Sequence, residues 1–195
     1  MKKDKKVVAF FVTGNVHKFH EARAVLSRYN IATAMLNVEA VEIQDDDIKT
    51  IAKTSALDAA HNSDLPVFVE DAGLFIKALN GFPGPYSSYA YRTIGTRGIL
   101  KLMEKVGQRH AYFQSVVAFC NHDEKAEPLC FEGKAYGKLT YEERGSQGFG
   151  FDPIFQPVEA ENGKTFAKMT PEEKNRYSHR AQALQKFAEW YVCRL

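Results

Sequence analysis

The sequence predicts a mixed α/β domain, and three features carry that prediction. The first is an unbroken apolar run, Val7-Val8-Ala9-Phe10-Phe11-Val12, which breaks at Thr13-Gly14-Asn15 and passes into helical spacing. The second is Val67-Phe68-Val69, a β-branched run that ends in Glu70-Asp71-Ala72-Gly73. The third is a pair of long alternating segments, His110 to Phe119 and Leu129 to Leu139, which read as an antiparallel pair joined by a charged hairpin, Asn121 to Glu127. Apolar runs without alternation suit strands covered on both faces by helices. A chain of 195 residues, 45% hydrophobic and 26% charged, suits one domain over 1–195 in two lobes, long enough to bury a core.

Taken in order, Val7–Val12 is a strand. Phe19, Ala22, Val25, Leu26 and Tyr29 then recur at helical spacing, with Asn15 placed to cap the helix. A helix that starts at a strand end presents free amide groups and binds anions. Lys18 adds a cation there, and Glu21 stands one turn on to orient it. The same pattern also serves as an ordinary connection. Leu36 and Val38 suggest a short second strand, and Val41-Glu42-Ile43-Gln44 alternates, setting Glu42 opposite its apolar neighbours. Asp45-Asp46-Asp47 opens a helix carried by Ile48, Ile51, Ala52, Ser55, Ala56 and Ala59. Lys53 lies on it, where most lysines are surface groups. Asn62 to Pro66 ends it.

The strand at Val67 then delivers Glu70 and Asp71 to its carboxyl end, where open sheets bind ligands. Buried there, the two carboxylates require a partner or a metal ion. The alternative is a polar turn supplied by Gly73. Gly81-Phe82-Pro83-Gly84-Pro85-Tyr86-Ser87-Ser88 is a rigid loop, either the wall of a pocket or a subunit contact. Ile94 to Val106 reads as one amphipathic helix. Gly145-Ser146-Gln147-Gly148-Phe149-Gly150-Phe151-Asp152-Pro153 is in neither dinucleotide-binding nor phosphate-loop order. Its rings suit stacking on a flat ligand, or a turn with buried phenylalanines. Thr170-Pro171-Glu172-Glu173 starts a helix, and Ser178 is placed to cap the last one. Lys174, His179 and Arg180 favour an anion or a ring carbonyl, or form a solvated face.

A net charge of +2 argues against a dedicated nucleic-acid binder. No stretch is long and apolar enough to span a membrane, and the basic start followed by Val7–Val12 lacks the pattern of a cleaved leader. Cys120, Cys130 and Cys193 are widely spaced, as reduced cytoplasmic thiols are.

Together these blocks resemble the inosine/xanthosine triphosphate pyrophosphatase family. The matching residues are Thr13-Gly14-Asn15-x-x-Lys18-x-x-Glu21, Glu42-Ile43-Gln44, Glu70-Asp71-x-Gly73-Leu74, Gly81-Phe82-Pro83-Gly84 and Tyr86-Ser87. They continue through Gly148-Phe149-Gly150-Phe151-Asp152-Pro153 and Lys174-Asn175-x-x-Ser178-His179-Arg180, in family order over nearly the whole chain. The resemblance implies an elongated two-lobed fold, with a long twisted mixed sheet flanked by helices and a central nucleotide cleft. It also implies a homodimer and Mg²⁺-dependent cleavage of a purine nucleoside triphosphate such as ITP, dITP or XTP to monophosphate and pyrophosphate. Mn²⁺, which also takes oxygen ligands, is an alternative ion.

Position by position, the resemblance assigns Glu42 and Asp71 to the metal, with Asp71 also the base for the attacking water. Thr13, Asn15, Lys18 and Lys174 hold the triphosphate. Phe149, Phe151, Asp152, His179 and Arg180 form the base pocket, and Lys53 is a further substrate contact. The chain departs from the family pattern at Ala72, where Ser or Thr is frequent, and at Phe151, where Tyr or Trp is common. Lys53 is further in sequence from Asp71 than the pattern leads one to expect. Two other readings fit the residues: a related pyrophosphatase acting on pyrimidine or modified nucleotides, and a purine-nucleotide-binding module without catalysis.

Overall fold

The computed structural model describes residues 7–122, 127–160 and 163–194. Strand β1 (Val7–Val12) leads through Asn15 into helix α1 (Val16–Leu26), and β2 (Ile31–Leu36) follows. Then come α2 (Ile48–Ser63), β3 (Val67–Ile76), the two-residue β4 (Pro83–Gly84), α3 (Ser87–Thr93) and α4 (Gly95–Leu102). Strands β5 (His110–Cys120) and β6 (Leu129–Leu139) are long, and β7 (Phe155–Pro157), α5 (Pro171–Tyr177) and α6 (His179–Val192) complete the chain. Seven strands form one mixed sheet in the order β2-β1-β3-β5-β6-β7, with β4 paired to β3. Both neighbours of β1 run parallel to it, whereas β4 and β7 pair antiparallel. The mixed α/β architecture expected from the sequence is therefore present.

The chain divides into two compact units, one of Met1–Asp71, Val116–Glu132 and Ala181–Leu195, the other of Ala72–Ser115 and Gly133–Arg180. The first has a core of Phe11, Leu26, Ile31, Phe68, Leu184 and Phe187, in which Phe11 and Phe68 stack at 4.5 Å. The core of the second contains Leu74, Ile76, Ile99, Met103, Phe113, Phe155 and Phe166.

Several elements differ from expectation. Strand β2 starts at Ile31, not Leu36, because its register on β1 begins at Val7↔Ile31. Its small residues, Ala32 and Ala34, carry little strand propensity. Residues 41–44 form no strand. Their backbone is bound instead by helix α2: Val41 N donates to Asp58 Oδ2 at 2.8 Å, and Ser55 Oγ donates to Val41 O at 2.9 Å. Strand β3 does not turn at Gly73 but continues to Ile76, since Leu74 and Ile76 are fully buried in the second core while Phe75 stacks on Tyr112 at 4.8 Å. The expected helix from Ile94 to Val106 is shorter, running from Gly95 to Leu102, and a separate helix precedes it. Helix α3 already begins at Ser87, whose hydroxyl accepts from Leu74 N at 2.8 Å and donates to Gly84 O at 2.7 Å. Gly95 (φ +62°) separates it from α4, which ends at Leu102. The hairpin expected at Asn121–Glu127 lies partly outside the described residues.

Candidate functional site

The order β2-β1-β3 makes the carboxyl ends of β1 and β3 a topological switch point, because the chain leaves β1 to one side for β2 and returns on the other for β3. Crevices at such points bind ligands in open α/β sheets. The register Phe10↔Val67 and Phe11↔Phe68 brings the end of β1 alongside the segment that leads to Glu70. The strand-to-helix turn and the acidic segment, 55 or so residues apart in sequence on the scale of a βαβ crossover with an added element, thus meet at one place.

The turn is built as its residues require. Asn15 caps α1: its Oδ1 accepts from His17 N at 3.0 Å and Lys18 N at 3.1 Å, while Asn15 N donates to Thr13 Oγ1 at 3.1 Å. Gly14 is exposed, and a Cβ built on it would meet nothing within 4 Å. The space above the turn is open to a ligand that approaches the backbone closely. Lys18 reaches across to β3, donating to Glu70 O at 2.9 Å and pairing with Glu70 Oε2 at 3.0 Å. An ammonium has three N–H groups; Glu70 O takes one, and Lys18 keeps 20% of its side chain exposed toward an incoming phosphate oxygen.

The acid that pairs with Lys18 in this geometry is Glu70; the sequence sets Glu21, one helical turn away, to orient it. Glu70 was visible in the sequence as one of two acids, but its tie to Lys18 depends on the β1–β3 register, which local spacing does not reveal. Asp71 follows on β3 and is half-buried. Successive strand residues face opposite sides, so Glu70 and Asp71 do not form a close carboxylate pair. Glu42 is exposed on the segment that α2 holds through Val41. Lys53 pairs with the carboxylate of Glu127 at 3.2 Å, the surface position that its place on α2 suggested.

In the second unit the aromatic loop is organised by Asp152. This residue is 3% exposed, and its Oδ2 accepts from Phe149 N at 2.9 Å and from Lys174 Nζ at 2.6 Å. Gly148 (φ +73°) has to be glycine: a Cβ there would lie 2.1 Å from Asp152 Oδ2. Lys174 Nζ lies 5.0 Å and Arg180 Cζ 5.3 Å from the centroid of the Phe149 ring, within the range of cation–π attraction. His179 stacks on Phe113 at 4.6 Å with 9° between the rings.

Lys174, His179 and Arg180 are all buried, so they are not a solvated face. Helix α5, which presents Lys174, starts as expected at Thr170-Pro171 and is closed by a capping box between Thr170 and Glu173. Lys174, assigned by resemblance to the triphosphate, is bound to Asp152 and lies over Phe149, with the residues assigned to the base. Phe151, assigned to the base pocket, is 3% exposed and belongs to the core, edge-on to Tyr91 at 5.5 Å. Of the two phenylalanines only Phe149 is partly exposed. Phe166, under Lys174 at 5.5 Å, is a supporting ring the sequence did not single out.

The model of the Ham1 family matches residues 9–190. The chain belongs to the Ham1 family. Among similar relatives, the dITP/XTP pyrophosphatase of Methanopyrus kandleri is 49% identical over 181 residues, covering 93% of this chain and 94% of its own. The dITP/XTP pyrophosphatase of Thermococcus kodakarensis is 47% identical over 180 residues, covering 92% and 95%. Among solved structures, a HAM1 protein from Coxiella burnetii aligns with a TM-score of 0.82 at 30% identity, over 95% of this chain and 98% of that one. Membership of the Ham1 family agrees with the resemblance drawn from the ordered blocks. Among the described residues of this Ham1 protein, no helix is long and apolar enough to cross a membrane.

Proposed function

We propose that this protein is a nucleoside triphosphate pyrophosphatase that hydrolyses non-standard purine nucleotides, ITP, dITP or XTP, to the monophosphate and pyrophosphate. The observation that carries the proposal is the open strand-to-helix turn at Gly14, with Lys18 held beside the acidic segment of β3 at a topological switch point. The names of the relatives support the same substrates.

The triphosphate is assigned to Thr13, Asn15 and Lys18. The N-terminal end of α1 favours negative charge, and Lys18 binds a phosphate oxygen. Asp71 accepts the proton of a water that attacks the α-phosphorus. The new P–O bond forms as the bond to the bridging oxygen breaks, and pyrophosphate leaves. The base is assigned to Phe149, with Arg180 and His179 as donors to the carbonyl at C6 of hypoxanthine or xanthine. Adenine has an amino donor at that position, so its complex leaves a buried donor unpaired. Lys174 and Asp152 shape the loop that carries Phe149, and Phe151 packs it.

A divalent ion fits the donor chemistry, which is carboxylate oxygen from Asp71 and Glu42. Among the described residues no three acidic, histidine or cysteine side chains gather to hold an ion. The ion assigned here is Mg²⁺, which takes one or two carboxylates and completes its shell with water and substrate phosphate. When bound, the ion neutralises charge on the phosphates and eases deprotonation of water. Mn²⁺ is accepted by the same oxygens.

The active protein is a homodimer in this proposal. Phe82, Tyr86, Tyr89, Tyr91 and Ile94 expose their side chains along one short stretch, an aromatic surface suited to a second copy. The three cysteines are free thiols, in keeping with the reducing cytoplasm.

The test is to incubate purified protein with ITP and Mg²⁺ and assay pyrophosphate against orthophosphate, with ATP, GTP and dTTP as competitors. Asp71→Asn should fold normally yet lose nearly all release of pyrophosphate. Turnover retained in that variant defeats the role of Asp71. Release of orthophosphate alone, or preference for dTTP, defeats the proposed reaction or substrate.

A further inference from the structure

Outside these residues, the second unit holds a hollow of about 370 Å³ where β5, β6 and β7 meet the segment after β6. That volume lies at the lower end of the range of small-molecule sites, roughly 300–1,000 Å³. Its lining includes Arg109, His110, Lys138, Tyr141, Arg144 and Gln156, and no acidic residue. For a chain with a net charge of only +2, this is an uneven concentration of cations. The nearest compensation is the ion pair from Arg144 Nε to Glu142 Oε1 at 3.2 Å.

Arg109 is 7% exposed, and its guanidinium donates to three backbone carbonyls, Leu139 O at 3.1 Å, Met103 O at 2.9 Å and Thr140 O at 2.5 Å. Carbonyls satisfy its hydrogen bonds but do not neutralise its charge. Tyr141 lies over it, with the guanidinium carbon 4.5 Å from the ring centroid, yet the residue is 74% exposed. The ring is thus pinned on one side and offered to solvent on the other. Lys138 and His110 are exposed at the same mouth.

The wall is also rigid. Thr140 N donates to Ile154 O at 2.9 Å, Thr140 Oγ1 to Glu142 O at 2.7 Å, and Arg144 N to Pro153 O at 2.9 Å. A site whose walls are already fixed loses little freedom when a ligand arrives.

From this geometry we infer a second anion-binding site, for a phosphate-bearing small molecule whose phosphate takes Lys138, His110 and Arg144. The source is either a free phosphate or pyrophosphate ion, or a nucleotide whose base stacks on the open face of Tyr141. The site stands independently of the proposed reaction.

The test uses the full chain carrying Lys18→Ala and Asp71→Asn, which removes the cation assigned to the triphosphate and the carboxylate assigned to the metal and the attacking water. Binding of inorganic pyrophosphate is measured by calorimetry at low salt, where charge attraction is least screened. Binding should persist in this background and weaken about tenfold or more when Lys138→Glu is added, since a like charge then faces the anion. Circular dichroism checks that this exposed substitution leaves the fold intact. No binding in the background protein, or binding indifferent to Lys138→Glu, overturns the proposal. The same titration with 5′-AMP separates the sources. Tighter binding than orthophosphate that is lost with Tyr141→Ala assigns a nucleotide, and equal binding indifferent to Tyr141→Ala assigns the free ion.

Discussion

Replacing Lys174 by Met isolates what the buried ion pair of the aromatic loop contributes. The ammonium and carboxylate are 2.6 Å apart, with side chains only 6% and 5% exposed. Met fills most of the lysine stem, so the change removes the charge more than the packing. It removes the cation 2.6 Å from the buried Asp152 carboxylate, a change that costs about 3–5 kcal/mol in comparable pairs. For a chain of this size each kcal/mol lowers the melting temperature by roughly 2–4 °C, so Lys174→Met should lower it by roughly 6–20 °C. Thermal melts followed by circular dichroism at pH 7 measure this. Adding Asp152→Asn removes the stranded charge but keeps an amide oxygen to accept the bond from Phe149 N, now 2.9 Å long. Most of the lost stability should return. A single variant within about 2 °C of the parent, on that same scale, refutes the reasoning. So does a double variant no more stable than the single one, because the cost would then lie in shape and not in the unpaired charge.

Phe149→Ala and Phe151→Ala should separate binding from packing. The first should raise KM for ITP with little change in melting temperature, whereas the second should cost about 3–5 kcal/mol of stability; equal melting temperatures would contradict the burial seen here. The Glu173 carboxyl is held below the usual carboxylate range, first by the hydrogen bond from Thr170 N and then by Lys164. Its stabilising effect is complete above the unfolded-state pKa and is lost as pH falls through the lowered folded-state value. An NMR titration should find Glu173 more acidic than exposed glutamates, and Glu173→Gln should abolish that component of acid sensitivity. Burial pushes the thiols of Cys120 and Cys130 up, while Cys193 is exposed. With a thiol reagent at pH 8 and mass mapping, Cys193 should label first; earlier labelling of Cys120 would show that its strand opens readily.

The elements that could be read from sequence are those whose signal is local. Asn15 caps α1, Asp47 caps α2 with its side chain on Lys49 N, and Thr170-Pro171 starts α5, because each cap bonds within a few residues of itself. Strand β6 has the bounds its alternation indicated, Leu129–Leu139. Where a distant neighbour decides, local pattern misleads. Residues 41–44 alternate like a strand, but Asp58 and Ser55 of α2 take their backbone groups. Gly73 has the composition of a turn, yet the burial of Leu74 and Ile76 carries β3 through it.

The same division governs the site. The family resemblance grouped Lys174 with Lys18 at the triphosphate, whereas the residues alone set it beside His179 and Arg180. Burial separates them: Lys18 keeps 20% of its side chain exposed beside Glu70, and Lys174 keeps 6% against Asp152. A lysine that must answer a buried carboxylate serves first to hold a loop, because removing it strands a charge. One that stays partly exposed at a helix start answers an incoming phosphate at little cost. What distinguishes them is not residue type or spacing but whether the acid facing each is sealed from water along with it. In this protein that depends on strand register for Lys18 and on the fold of a glycine-rich turn around Asp152 for Lys174. The loop residue Gly148 is therefore as decisive for the base-side residues as any charged group, since any side chain there would displace the carboxylate that fixes Phe149 and Lys174 together.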